Sequence, residues 1–277
     1  MKKLSLTILL LLTLLPAGAC GNNNNTAPAA TAAPTEGAAA PAGQNSLEAV
    51  KASGKLRIGT EGTYAPFTFH DAEGKLTGFD VEIAKEITKR LGVEPEFIET
   101  QWDGLFAGMD AKRFDTIFNE VSITDERKVK YDFSEPYIVS KGVLIVREDN
   151  QNITAFADLK GKKAGQSLTS NLSDIARENG AEIVAVDGFN QAIDLLTSGR
   201  IDATVNDGLS YLDLKKQKPD AKIKQVDETA EGSKSAAVFL KGNEELVNAV
   251  SDALAEMKSD GTYLKISEKY FGADVSK

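Results

Sequence analysis

The segment Ser122-Ile123-Thr124-Asp125-Glu126-Arg127 carries the residue types best suited to chemistry in this chain, and that chemistry is retention of an anion. Thr124 is placed to start a short helix whose free N–H groups face outward, and Arg127 adds a planar fork that matches a carboxylate. A charge-assisted bond of this kind contributes about 1.5–3 kcal/mol. On spacing alone, however, the plainer reading of Arg127 is the stronger: a surface arginine beside Lys128 and Lys130. Covalent chemistry has little to work with. The one cysteine, Cys20, lies ahead of the expected folded part, and the one histidine, His70, sits in the polar, turn-like stretch His70-Asp71-Ala72-Glu73-Gly74-Lys75. A solvated hairpin histidine is the natural reading. No G-x-S-x-G elbow, phosphate-binding loop or dinucleotide fingerprint occurs, and neither Cys/His metal spacing nor an EF-hand loop is present. A net charge of −9 argues against nucleic-acid partners, which need clustered Lys and Arg.

The elements that must position the polar segment follow from periodicity. Short β-rich runs at 56–60, 96–99, 115–118, 143–146, 182–186 and 202–205 alternate with helical patterns, predicting α/β layering with largely parallel sheets. Phe79, Ile83, Ala84, Ile87 and Leu91 share a helical face, with Asp80 suited to cap the start and Gly92 the end. Leu246, Val250, Ala253, Leu254 and Met257 mark a long amphipathic helix whose role is core packing. One octapeptide recurs: Arg113-Phe114-Asp115-Thr116-Ile117-Phe118-Asn119-Glu120 against Arg200-Ile201-Asp202-Ala203-Thr204-Val205-Asn206-Asp207. Each copy follows an amphipathic helix, and those helices begin alike at Trp102-Asp103-Gly104-Leu105 and Asp187-Gly188-Phe189. Two lobes of similar build are implied, each ending a strand with Asn and an acidic residue. Ligands bind beyond the carboxyl ends of strands in open α/β sheets, so two such ends facing each other make a cleft.

The N-terminus reads as an export signal: Met1-Lys2-Lys3, an apolar run from Leu4 to Leu15 that falls short of the about 20 residues of a membrane span, then Ala17-Gly18-Ala19-Cys20. The last of these resembles a bacterial lipobox, with Ala17 where leucine is usual, and makes Cys20 the expected lipidation site. Residues 21–45 are, apart from Glu36 and Gln44, Asn, Ala, Pro, Thr and Gly with almost no apolar bulk, a composition that does not bury enough surface to fold. As a flexible coil such a stretch reaches roughly 25–30 Å, enough to hold a domain just above a membrane.

Several segments together resemble the extracytoplasmic solute-binding proteins, family 3, of ATP-driven (ABC) importers for polar amino acids. They are Gly59-Thr60-Glu61-Gly62-Thr63-Tyr64-Ala65-Pro66-Phe67, Gly74-Lys75-Leu76-Thr77-Gly78-Phe79-Asp80, Trp102-Asp103-Gly104-Leu105, the Ser122–Arg127 segment and Tyr131-Asp132-Phe133-Ser134-Glu135-Pro136-Tyr137. They stand in family order, and the resemblance runs from about residue 47 to Tyr270-Phe271-Gly272-Ala273. It implies a type II periplasmic-binding-protein-like fold: two α/β lobes joined by two crossing strands near Ser140 and Ser233, with the C-terminal segment returning to the first lobe. The expected division is signal peptide 1–19, lipid-anchored flexible linker 20–45, first lobe 46–139 with 234–277, and second lobe 140–233. By the family pattern Arg127 takes the ligand α-carboxylate with Ser122, Ser170 and Asn171, and Asp207 meets the α-ammonium group. Tyr64 and Trp102 wall the side-chain pocket, Glu61 lies at its edge, and Asn119 and Thr169 complete the expected ligand-binding set. Within the family, Asn119-x-Val121-x-Ile123, the Lys130–Ser134 run and Gln166-Ser167-Leu168-Thr169-Ser170-Asn171 are most similar to the cystine-binding subset. The resemblance thus favours L-cystine, with glutamine, arginine or histidine as alternatives and a dehydratase-type enzyme on the same fold as a further one. It implies an ABC permease and its ATPase as partners, a lipid anchor as the sole membrane attachment, a monomer, and no cofactor or metal.

Overall fold

The computed structural model describes residues 46–277. The expected signal peptide, the 20–45 linker and Cys20 lie outside the described residues. Two five-stranded sheets organise the described chain. The first runs, edge to edge, Glu94–Glu99, Lys55–Thr60, Thr116–Ile117, Val238–Leu240 and Tyr131–Phe133. The second runs Glu182–Ala185, Lys163–Gln166, Ala203–Asp207, Gly142–Arg147 and Ile223–Glu228. Their topologies are the same. In each, three parallel strands come first, and the fourth is antiparallel to its neighbours because it has just arrived from the other sheet. The expectation of largely parallel sheets holds for four of the five strands in each; the entering strand alone runs against them, pairing antiparallel on both sides. Helical crossovers demand parallel neighbours, whereas a strand arriving from outside the lobe is under no such constraint.

The passage between sheets is a short ladder, Ile138–Ser140 antiparallel to Ser233–Ser235, in which Ser140 faces Ser233 and Ile138 faces Ser235. This is the two-lobed, type II α/β architecture with two crossing strands. The C-terminal helices Glu244–Ser259 and Thr262–Phe271 pack on Phe79–Leu91 against the first sheet, and the Val139 N–H donates to the Val275 carbonyl at 2.8 Å. Leu246, Val250, Ala253, Leu254 and Met257 are all buried there, the packing role their spacing predicted.

Helix Phe79–Leu91 ends at Gly92, in the left-handed conformation at φ 73°, as expected of a C-terminal glycine. Its start differs from expectation. Gly78 occupies the cap position and no side chain caps the helix. Asp80 is fully buried instead, its Oδ2 accepting from the Glu120 N–H at 2.5 Å and the Tyr137 hydroxyl at 2.9 Å. The helix lies against the end of the Thr116–Ile117 strand, and that contact outcompetes local capping.

Candidate functional site

The two copies of the octapeptide do equivalent work up to their last two residues. Asp115 accepts from the Arg57 backbone N–H at 2.9 Å, and Asp202 from that of Lys163 at 2.9 Å, each tying the new strand to its parallel neighbour. Two residues further along those neighbours stand Gly59 and Gly165. A Cβ on Gly59 would lie 2.6 Å from the Phe114 ring, and one on Gly165 would lie 2.6 Å from Ile201 Cδ1. Each glycine makes room for the large apolar side chain of the matching repeat position.

Beyond these anchors the strand ends turn toward the cleft. Asn119 is fully buried; its Oδ1 accepts from the Glu61 N–H at 2.7 Å and its Nδ2 donates to Glu61 Oε2 at 2.6 Å. Glu120 adopts φ 51°, the left-handed region that side chains other than glycine enter at a cost. In the second lobe Asn206 accepts from the Tyr64 hydroxyl at 2.9 Å, and Asp207 caps helix Gly208–Gln217 by accepting from the Leu209 and Ser210 N–H groups at 2.8 and 3.4 Å. The Ser140 hydroxyl, on a crossing strand, donates to Asp207 Oδ2 and lies 3.5 Å from Glu120 Oε1.

The cleft is closed. Besides the Tyr64–Asn206 bond, Asp103 accepts from the Leu168 and Thr169 N–H groups at 3.1 and 2.9 Å, and Ser210 donates to the Ala65 carbonyl at 2.9 Å. Asn171 donates to Ser122 Oγ at 3.3 Å, and Asn190 to the Thr63 carbonyl at 3.2 Å. Between the sheets remains a small cavity of about 40 Å³, walled by Tyr64, Trp102 and Phe189 and edged with Glu61, Glu120, Ser167, Ser170, Asn171 and Asn206. Arg127 stands at its outer side. Its guanidinium donates to the Ser122 carbonyl at 2.8 Å, to Asn171 Oδ1 at 3.3 Å and to the Thr169 carbonyl at 3.3 Å, with Trp102 and Phe106 rings 5.4 and 5.1 Å from its carbon. The helix it belongs to starts at Thr124, whose hydroxyl accepts from the Arg127 N–H.

Burial dominates the electrostatics. It pushes the Glu61 carboxyl up to about 7, against the opposing pull of its Asn119 bond, and Asp207 up to about 6, against its bonds from Ser140 and the helix N–H groups. Glu120 is raised well above the usual carboxylate range by burial and then by the nearby Asp207. Burial also lowers Arg127 to about 10, which leaves it charged at neutral pH. The chemistry of these walls suits a small zwitterion that enters before the lobes close on it: a cation among the carboxylates, a carboxylate toward the arginine, and an apolar stem between the rings.

Of the expected residues, Glu61, Tyr64, Trp102, Ser170 and Asn171 line the cavity. Arg127 and Thr169 line an adjoining outer groove with Phe106, Lys130 and Asp174. Asn119 lies beneath Glu61 and orients it, Ser122 receives Asn171, and Asp207 lies behind Glu120 at the crossing strand. Ser167, Leu172, Gly188, Phe189 and Asn206 also face the cavity. Phe189 and Asn206 were legible in the repeat, as the counterparts of the Trp102 helix start and of Asn119, and Ser167 in the Gln166–Asn171 motif. Leu172 carried no signal. His70 has its Nδ1 3.1 Å from the Gly62 carbonyl and its Nε2 3.3 Å from Glu99, outside the cavity lining.

Residues 56–273 match the family model of bacterial extracellular solute-binding proteins, family 3. The chain is 48% identical over 229 residues to the L-cystine-binding protein TcyA of Bacillus subtilis (strain 168), spanning 82% of this chain and 85% of that protein. Among solved structures, an ancestral arginine-binding protein bound to arginine is 42% identical, with a TM-score of 0.75 over 79% of this chain and 98% of that one. The L-cystine solute receptor of Neisseria gonorrhoeae, in its unliganded open conformation, is 45% identical but has a TM-score of only 0.56, over 84% of this chain and 99% of that one. Slightly higher identity with poorer superposition is what a closed two-lobed molecule gives against an open one, and it agrees with the bonds across the cleft. The chain belongs to the bacterial extracellular solute-binding proteins, family 3.

Proposed function

We propose that this protein captures a polar amino acid, with L-cystine the favoured ligand, outside the cytoplasmic membrane and delivers it to an ABC permease by hinge closure. The observation that carries this reading is the closed cavity, with ring walls, buried carboxylates at one side and Arg127 at the other. The cystine-binding name of the relative from Bacillus subtilis supports the choice of ligand. A ligand touching both lobes stabilises the closed form selectively, and closure is the signal that a permease reads. Arg127, with Ser122, Ser170, Asn171 and Thr169 around it, takes a carboxylate; Glu120, with Asp207 behind it, takes an ammonium group; Tyr64, Trp102 and Phe189 hold the apolar stem, and Glu61 serves a second polar head. The ligand leaves unchanged, since capture needs no bond made or broken.

The reading extends to the rest of the chain: residues 1–19 as signal peptide, Cys20 as lipid anchor, 20–45 as tether, 46–139 with 234–277 as one lobe, and 140–233 as the other. No helix among the described residues is long and apolar enough to cross a membrane, which accords with attachment by lipid. The protein acts as a monomer beside its permease and ATPase. Calorimetric titration of refolded, ligand-stripped protein against L-cystine, glutamine, arginine and histidine tests the proposal. Saturable binding with cystine tightest supports it. Preference for another amino acid rejects cystine, and absence of any binding rejects amino-acid capture altogether. Incubation with prephenate-like acids tests the dehydratase alternative, which product formation would establish.

A further inference from the structure

The carboxyl groups of Glu120 and Asp207 come from opposite lobes and meet at one hydroxyl, that of Ser140 on a crossing strand. Both residues are buried, at 7% and 4% exposure, as are Ser140 and Ser235. A serine hydroxyl carries one hydrogen. Donated to Asp207, it is not available to Glu120, whose Oε1 at 3.5 Å then faces the lone pairs of Ser140. Ser235 donates to the same Oε1 at 2.9 Å, which leaves the Glu120–Ser140 contact without a hydrogen unless Glu120 brings its own. Other ionisable groups facing the pair are Asp80, below the Glu120 backbone, the Tyr64 and Tyr137 hydroxyls, and Arg127; Asp80 disfavours and Arg127 favours the charged form of Glu120. With Glu61, which edges the same cavity as Glu120, four carboxyls stand against one guanidinium.

We propose that Glu120 and Asp207 form a closure gate: with no ligand the cleft closes only when one proton is held between them, and the ammonium group of the captured amino acid takes over that proton's role. Two ionised carboxylates brought together in a water-poor hinge repel strongly, and opening relieves the repulsion by separating and solvating them. A proton on Glu120, donated to Ser140, removes one charge and completes the chain Glu120–Ser140–Asp207. When an amino acid enters a protonated cleft, its ammonium group faces Glu120 from the cavity and the proton returns to solvent. The upward displacement of both groups by burial agrees in direction. Because burial raises their affinity for protons on closure, ligand-free closure is favoured as pH falls and lost as pH rises. Asp80 does not share this role: its partners belong to the first lobe and the crossing strand that adjoins it, so it stays buried whether the cleft is open or shut.

The gate rests on the ammonium-binding reading only for its ligand half, and its proton half is tested with no ligand present. Trp102 is the sole tryptophan, walls the cavity and is 7% exposed in the closed form, so its quenching by acrylamide reports closure in the full chain. In ligand-stripped wild type, the quenching constant should be roughly twofold smaller at about pH 5.5 than at about pH 8. Glu120→Gln, which supplies a neutral partner permanently, should be protected at both pH values. Asp207→Asn should behave the same way, since one neutral member suffices and asparagine still caps the helix. Quenching of wild type that is independent of pH, or variants that keep the wild-type pH dependence, would overturn the gate. Failure of amino-acid capture would show instead as absence of heat on titration, with these quenching results unaffected.

Discussion

The ends of the strands Thr116–Ile117 and Ala203–Asp207 begin as structural equals and finish with different duties. Both use an aspartate to tie down a parallel neighbour and a glycine to admit a large apolar side chain. Thereafter Asn119 turns inward and fixes Glu61 within its own lobe, whereas Asn206 reaches across the cleft to Tyr64. The same pattern therefore supplies rigidity on one side and a reversible contact on the other. Removing equivalent residues should damage different properties.

The largest effects should fall on the inward-facing side. Asn119→Ala leaves the Glu61 N–H without its partner and the Glu61 carboxyl with only the Trp102 backbone, in a buried place, and we expect a loss of about 3 kcal/mol in urea unfolding. A loss below about 1 kcal/mol would mean that water replaces Asn119 and that the two asparagines are more alike than they look. Gly59→Ala should cost about 2–3 kcal/mol and Gly165→Ala about 1–2, because a ring packed against both Gly59 and Gly108 gives way less than the flexible end of Ile201. Equal costs would show that the second lobe is packed as rigidly as the first.

Binding effects come next. Arg127→Ala should weaken amino-acid binding at least about tenfold, or 1.4 kcal/mol, and unchanged affinity by calorimetry would remove Arg127 from the site. Asn206→Ala should weaken binding only about threefold while leaving stability intact, since it removes one bond that exists only in the closed form. A large loss of stability there would erase the contrast with Asn119.

The pH dependence of folding gives a smaller and separable effect. Burial raises Asp80 to about 7, and its Oδ1 has no hydrogen-bond partner, so the folded protein favours its neutral form. That contribution is complete below the ordinary carboxylate range and declines as pH rises toward 7. The thermal midpoint should accordingly fall by a few degrees between about pH 5 and about pH 8, and Asp80→Asn should flatten the slope. A slope that Asp80→Asn leaves untouched would place the titration elsewhere.

Much of the architecture was legible because it is written in local patterns. The face of Phe79–Leu91, its glycine stop and the octapeptide repeat are matters of spacing, and each maps onto an element of the structure. Asp80 was misread because an acidic residue in a first helical turn is ordinarily a cap, and only the packing of Glu120 and Tyr137 above it turns it inward. Leu172 was invisible for a similar reason: a leucine in an amphipathic helix has no local mark distinguishing core from cavity wall. The mixed strand direction in both sheets was also beyond reach, because it depends on which lobe each strand enters.

By itself the sequence determined the elements, the doubling of the helix-to-strand unit and the residue types able to hold a zwitterion, since these depend on periodicity and on side-chain chemistry. Only the tertiary structure decided which of those residues face one another. Glu120 and Asp207 stand far apart along the chain and belong to different lobes, and it is the crossing strands that bring them to the single hydroxyl of Ser140. Burial, which sets the charge of a carboxyl more strongly than its identity does, exists only once both lobes have folded and met.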